Sequence, residues 1–344
     1  MKKSVSMNFA KPTCKPMADH QDDVIVVLGM HRSGTSATTR ALRVLGVELG
    51  SEFSPPPDRH NAKGYWEDRD ILSLNVEMLK AIDRSWNTLQ SVEPKDFERL
   101  SELGFEQRAL DLLQRKTAGA RPYGFKDPRI IPLLPFWDRV IARSGLKARY
   151  VLMVRNPLNV GASLAARDAM DGVYANYLWL LHNVSALGQA RRGIAAVVSY
   201  DELMQNPGTA IDRLSAQLGL PVDPEEKRTY LDTFLEPELD HSAHRDEDVF
   251  GHGDVPRSAA QLYRDLMAVA RGNLSLEDPQ FIARIELLEQ EIRDLQPLFA
   301  RMRQTNPADH RLSVRQAASA LTQALHRAWR RRIASLTSKQ DGRS

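Results

Sequence analysis

Val24-Ile25-Val26-Val27-Leu28-Gly29-Met30-His31-Arg32-Ser33-Gly34-Thr35-Ser36 passes from an unbroken apolar, mostly β-branched run into a loop bounded by two glycines. Such a run suits a strand buried on both faces of a parallel sheet. Past Gly34, Leu42 and Leu45 stand at helical spacing before Gly46, so the segment reads as strand, glycine loop and helix. A loop in this position presents backbone N–H groups at a helix N-terminus, where they bind phosphate-like anions.

The same alternation continues downstream. Tyr123–Phe125, Ala148–Val154 and Ala195–Ser199 read as further strands. Helical periodicity fills roughly 69–82, 106–117, 133–143, 158–168, 173–191 and 208–218 between and after them. Strands separated by helices of this length predict an α/β fold, a three-layer αβα sandwich on a central parallel sheet, P-loop-like, with C-terminal helices added. The domain reading is a flexible N-terminal arm over 1–23, the main domain over 24–222, a loop and helical extension over 223–310, and a basic tail over 311–344. In the extension, Ile282, Ile285, Leu288, Ile292, Leu295, Phe299 and Met302 step by threes and fours along a predicted helix over 279–303. That stripe suits either packing on its own domain or a coiled-coil homodimer, and Pro297 should weaken the helix where it falls.

Composition narrows the classes. The chain has 344 residues, 42% hydrophobic and 26% charged, enough to bury a sizeable core and too apolar to be disordered throughout. Its net charge of +3 is unevenly spread: residues 311–344 hold eight Lys or Arg against the single acid Asp341, which leaves the remainder net acidic. That balance, with no recognition motif, argues against a nucleic-acid partner. Cys14 is the only cysteine, so internal disulfides and cysteine-based zinc sites are excluded, and a reducing, cytoplasmic setting is expected. No apolar run approaches the roughly 18–20 residues of a membrane span, and the first 23 residues contain no apolar block of the signal-peptide kind. The basic helix read over 311–335 is the one candidate for peripheral contact with an anionic inner membrane face.

The glycine spacing is that of a Walker A loop, yet Thr35 and Ser36 follow Gly34 where a nucleotide triphosphatase places lysine. The loop's cation is Arg32 instead. The strongest later strand ends in Arg155, where a kinase or ATPase uses an aspartate toward Mg²⁺. A strand end carrying a cation binds a second anion rather than a divalent metal, so no metal is expected.

Read with Arg155-Asn156-Pro157-Leu158-Asn159-Val160-Gly161-Ala162-Ser163, the loop Gly29–Ser36 resembles the sulfotransferases that use 3′-phosphoadenosine 5′-phosphosulfate, PAPS. The resemblance implies that His31, Arg32, Ser33, Gly34, Thr35 and Ser36 hold the 5′-phosphosulfate and that Arg155 and Ser163 hold the 3′-phosphate. Gly64-Tyr65-Trp66-Glu67, Phe125-Lys126-Asp127-Pro128-Arg129 and Tyr200-Asp201-Glu202-Leu203 resemble segments of bacterial members, so the likeness spans 24 to about 220. The R-K-G motif of many cytosolic members is missing. This favours a bacterial, carbohydrate-type branch acting on glycans or glycolipids.

Transfer of SO₃ from a phosphate to a hydroxyl needs cations at the breaking bond and a base for the acceptor proton. Arg32 is placed for the first task. Lys126, by resemblance, stabilises the sulfuryl group, with a plain salt bridge to Asp127 and Arg129 as its alternative. Glu67 is the candidate base, with helix capping as its alternative and His31 as a competitor. Tyr65 and Trp66 are candidates for a sugar-stacking or cleft-lining surface, and His60, His241, His244 and His252 either line the acceptor cleft or are solvated loop. Two other functions compete with sulfuryl transfer: an ATP-dependent phosphotransferase, and a non-catalytic scaffold that keeps the fold.

Overall fold

A computed structural model of the chain describes residues 20, 22–53, 64–119, 122–234 and 244–305, with side chains described through residue 300. Cys14 with the arm before His20, His60, His241 and the basic segment 311–344 lie outside the described residues. The chain divides into two compact units, Met1–Gln296 and Pro297–Ser344, and everything below concerns the first.

Four strands, β1 (Asp23–Leu28), β2 (Tyr123–Lys126), β3 (Lys147–Val154) and β4 (Ile194–Ser199), form one parallel sheet in the order β2-β1-β3-β4. All six residues of β1 are buried, as its continuous apolar run requires. Helices α1 (Thr35–Val44), α2 (Arg69–Ala81), α3 (Pro94–Glu102) and α4 (Phe105–Thr117) lie between β1 and β2; α5 (Leu134–Arg143) joins β2 to β3; α6 (Pro157–Asp168) and α7 (Gly172–Ala190) join β3 to β4. After the sheet come α8 (Tyr200–Gln205), α9 (Pro207–Leu218), α10 (Pro224–Thr229), α11 (Arg257–Ala270) and α12 (Pro279–Thr305).

Alternation along the strands assigns the two faces. Ile25, Val27, Val151, Met153, Ala196 and Val198 join Leu42 and Leu45 of α1 and Ile211 and Leu214 of α9 in one buried cluster. The opposite face packs against α5 and α11, with α7 beside them, and completes the three layers. Helix starts follow local chemistry. Asn156 and Asp171 cap α6 and α7 by accepting the N–H groups of Leu158 and Tyr174, and Pro157 and Pro207 occupy first turns, where their missing N–H is harmless.

Two details depart from the sequence reading, and a third bears on the two readings left open for the last helix. Ordered structure starts ahead of Val24: Asp23 belongs to β1, and it holds both buried His20 (2.8 Å) and Arg149 (3.2 Å). Helix α3 went unforeseen. Along α12, Phe281, Ile285 and Ile292 are buried, and up to Gln296 the helix is tied to its own unit by Arg284–Asp265, Ser258–Glu291 and Ser91–Gln296 bonds. The apolar stripe in that part of the helix is therefore covered by its own domain.

Gly124 marks where β2 is pressed between β1 and the segment after α1, since the Glu48 N–H donates to the Pro122 carbonyl (2.9 Å) and the Gly124 N–H donates to the Glu48 carbonyl (2.8 Å). A Cβ there would meet Val47 Cγ1 at 2.8 Å and the Ile25 carbonyl oxygen at 3.3 Å. Gly124→Ala should lower stability by roughly 1–3 kcal/mol through overpacking. A urea-unfolding midpoint equal to the wild type would show that β2 has slack at this point.

Candidate functional site

The strand order places the ends of β2, β1 and β3 side by side, and the chain leaves β1 toward β2 on one side before returning to β3 on the other. This is a topological switch point, where a crevice opens beyond the carboxyl ends of the strands. Lys126 ends β2, the glycine loop follows β1, and Arg155 follows β3.

Within the loop, Arg32 and Gly34 take left-handed backbone (φ 69° and 88°). For glycine this conformation is free; for arginine it is uncommon and is sustained by its surroundings. Gly34 is also the N-cap of α1, has no side chain to cap with, and is followed by no acid in the first turn, so the helix's positive end is uncompensated. Glycine is required here on steric grounds as well, since a Cβ would lie 2.3 Å from the Tyr200 ring. Ser33 and Thr35 are buried, and the Ser36 hydroxyl donates to the Tyr65 carbonyl (2.9 Å).

The two anion motifs meet. Arg32 Nε donates to Ser163 Oγ at 2.8 Å, and Arg155 Nη1 donates to the Arg32 carbonyl oxygen at 3.0 Å. The Arg155 guanidinium lies 4.1 Å from the centre of the Tyr200 ring, a cation–π contact, while its own carbonyl accepts from Trp179 Nε1 (3.0 Å). Burial, followed by the positive charges of Arg167 and Arg155, lowers the pKa of Arg32, with Tyr65 and Asp168 opposing.

On the β2 side, Lys126 is almost fully buried and donates to the Tyr65 carbonyl (2.7 Å) and to Glu67 Oε1 (3.0 Å). Glu67 Oε2 also faces Arg129 Nη1 at 3.8 Å. The helix-cap reading of Glu67 is corrected here: Asp68 caps α2 by accepting from Asp70 and Ile71, and Glu67 turns inward to the lysine. Asp127 has a structural task. It accepts from the Arg129 backbone and guanidinium and from Asn75 Nδ2, whose amide oxygen takes the Trp137 indole N–H, so α2, β2 and α5 are bolted together beneath the site. Burial, with the nearby Glu67 charge, raises the Asp127 pKa against the opposing pull of Arg129 and Asn75.

His31 is buried, its ring centroid is 4.5 Å from that of Trp86, and its Nε2 has no hydrogen-bond partner. Burial first, and then Arg129, His182, Arg167 and Lys126, hold its pKa well below 6.5, so it stays a neutral imidazole. Arg167 lies 5.1 Å from the Trp86 ring and pairs with Asp168 (2.7 Å). Sequence reading missed Arg167, Trp86 and His182, which belong to no motif and are gathered only by tertiary packing. Trp66 is half-buried and packs its ring against Phe53 (4.9 Å), Phe234 and the Arg40 guanidinium (5.6 Å). His244 and Asn159 exchange hydrogen bonds (2.9 and 3.0 Å), which anchors the 244–256 loop to α6. Among the described residues no group of three His, Cys, Asp or Glu side chains gathers as a metal set.

The family model for the sulfotransferase family matches residues 24–224, more than half of the chain. The chain belongs to the sulfotransferase family. The solved structures it resembles include a sulfotransferase domain from the curacin biosynthetic pathway (17% identity over 72% of this chain and 97% of that one, TM-score 0.42). Another is the sulfotransferase domain of the Synechococcus PCC 7002 olefin synthase (19%, 78% and 94%, TM-score 0.38). A third is retinol dehydratase in complex with androsterone and the inactive cofactor PAP (15%, 79% and 81%, TM-score 0.28). No curated protein matches the chain significantly. The matched span holds both anion motifs, Lys126 and Glu67, and the sulfotransferase's cations at the crevice, Arg32, Arg155, Arg167, Lys126 and Arg129, outnumber the acids Glu67, Asp127 and Asp168 beside them.

The buried histidines give the sulfotransferase a pH signature. Burial lowers the His182 pKa from 6.5 to about 4, against a bond from its Nδ1 to the Leu178 carbonyl, and His31 is lowered as well. In the unfolded chain both regain ordinary values near 6.5 and bind protons the folded protein refuses. Stability therefore falls as pH drops below about 6.5, by up to ~1.4 kcal/mol per pH unit for each histidine, until the folded pKa is reached. Denaturant unfolding of His182→Gln between pH 7 and pH 4.5 should show a shallower loss than the wild type; identical slopes would mean His182 titrates normally when folded.

Proposed function

We propose that this sulfotransferase takes its sulfuryl group from PAPS and passes it to a hydroxyl of a carbohydrate or glycolipid. The observation that carries the donor reading is the junction of Arg32, Ser163 and Arg155: two candidate anion-binding motifs, far apart in sequence, are joined by two hydrogen bonds. Residues suited to two phosphate-type groups on one ligand stand together there, and the donor has a phosphosulfate at one end and a 3′-phosphate at the other. The uncapped N-terminus of α1 with Thr35 and Ser36 suits the phosphosulfate, and Arg155 with Ser163 suits the 3′-phosphate.

When bound, the donor supplies an activated sulfur whose leaving group is a phosphate. In an in-line displacement the S–O bond to that phosphate breaks with its electron pair as the acceptor oxygen bonds to sulfur. The acceptor's proton must then be taken up. Lys126 has three N–H donors and spends two on Tyr65 and Glu67, leaving one for a sulfuryl oxygen. Arg32 and the loop N–H groups meet the charge growing on the leaving oxygen. Glu67, a few ångströms from Lys126, is the carboxylate placed to accept the proton. Thr35 in place of a Walker lysine, and Arg155 in place of a metal-binding acid, set this site apart from that of an ATP-dependent phosphotransferase.

Isothermal titration with 3′-phosphoadenosine 5′-phosphate and with AMP, in the absence of metal, tests the donor reading. Arg155→Ala and Ser163→Ala should each weaken binding of the 3′-phosphorylated nucleotide by about 10- to 100-fold, the loss of one charge-assisted contact, and leave AMP nearly unaffected. Equal affinity for the two nucleotides in the wild type would sink the assignment, and preference for ADP with Mg²⁺ would favour phosphoryl transfer.

Glu67→Gln should reduce turnover by roughly 10²- to 10⁴-fold at unchanged nucleotide affinity. Unchanged turnover would remove Glu67 from the role of base.

A further inference from the structure

Gly64 and Trp66 both take left-handed backbone, with φ of 82° and 52°. Glycine does so freely, whereas for a bulky aromatic residue the conformation is an outlier that persists only where the surroundings impose it. The two bends bracket Tyr65. Its carbonyl accepts from Ser36 Oγ (2.9 Å) and from Lys126 Nζ (2.7 Å), and the next residue past the second bend, Glu67, brings its carboxylate back to the same ammonium (3.0 Å). The strained residue therefore stands between the two acceptors that share one buried lysine.

What imposes the bend is the setting of the indole. Its ring meets Phe53 at 4.9 Å and the edge of Phe234 at 5.8 Å, and the Arg40 guanidinium lies 5.6 Å from its centre. Arg40 is itself buried and fixed: it pairs with Glu226 and lies 5.8 Å from the ring centres of both Tyr230 and Phe234. Ser36 and Arg40 are one turn apart on α1, so that helix grips the bend twice, at the Tyr65 carbonyl and at the Trp66 ring.

We propose that Trp66 is a positioning residue for the Lys126–Glu67 pair. The caged indole holds a bend that the backbone relaxes once the ring is gone, and the bend keeps the Tyr65 carbonyl and the Glu67 carboxylate on Lys126, leaving the third N–H of the ammonium for a sulfuryl oxygen. Packing alone does not call for this arrangement: the indole is only half-buried, and an aromatic residue in ordinary backbone could fill the same space without strain. The link to the sulfuryl group rests on the sulfuryl-transfer reading, while the positioning of the lysine and the carboxylate does not.

Competitive labelling of the full chain with acetic anhydride, read lysine by lysine by mass spectrometry, tests the positioning. Trp66→Ala should speed the labelling of Lys126 by about fivefold or more while the exposed Lys80 and Lys147 stay within about twofold of the wild type, and Trp66→Phe should restore the slow rate. Phe234→Ala, which opens the cage and leaves residue 66 untouched, should speed Lys126 by about twofold or more, and it decides the matter if Trp66→Ala does not fold. An unchanged Lys126 rate in the folded variants overturns the proposal, as does a rise shared equally by all three lysines. Calorimetric titration then tests the link to the sulfuryl group: Trp66→Ala should weaken binding of PAPS by about fivefold more than that of 3′-phosphoadenosine 5′-phosphate, which lacks that group. Equal weakening of the two removes the pair from the sulfuryl group. If the wild type binds neither nucleotide, the donor reading fails, and the labelling alone decides whether Trp66 positions the pair.

Discussion

The charge balance at the carboxyl end of the sheet governs this molecule. Lys126 is almost fully buried, and an ammonium removed from water is tolerated only when paired and hydrogen-bonded, which Glu67 and the Tyr65 carbonyl accomplish. That demand fixes where residues 64–68 must run and so sets the start of α2. Asp127 does the same for Arg129 and reaches Asn75, so the helix after residue 68 is bound to β2 at two levels. On the β3 side the cations are arranged differently: Arg32 donates to the Ser163 hydroxyl and lies near Arg155 and Arg167, with Tyr65 and Asp168 opposing them, while the Arg155 guanidinium rests over the Tyr200 ring.

Much of this was legible in the sequence because the informative residues are local. β1 declares itself by an unbroken apolar run, the glycine loop by two glycines at fixed spacing, and α6 by Asn156-Pro157 directly after a strand. What was not legible depends on packing. Helix α3 has only Asp96 and Leu100 buried, so no apolar stripe announces it; its signal is the Pro94 start and the reciprocal Glu93–Asp96 cap. Trp66 and Trp86 illustrate the same limit from both sides. Each is a lone tryptophan in a polar stretch, and only the fold determines that Trp66 packs against Arg40, Phe53 and Phe234 while Trp86 stands between His31 and a cavity.

The His31 environment links the β2 and β3 sides of the crevice. Burial first, and then the charges of Arg129, Arg167 and Lys126, keep its ring uncharged. A neutral imidazole adds nothing to the positive charge already present, and it packs on Trp86 instead.

Under the proposed reaction, the pairing of Lys126 with Glu67 also fixes where the two halves of the transfer take place. The carboxylate assigned to the acceptor's proton is held by the same ammonium assigned to the sulfuryl group. Two of that ammonium's N–H groups are spent on Tyr65 and Glu67, and the third can meet a sulfuryl oxygen without releasing either. The contact that lets a lysine be buried is thereby the one that sets the proton acceptor beside the group to be transferred.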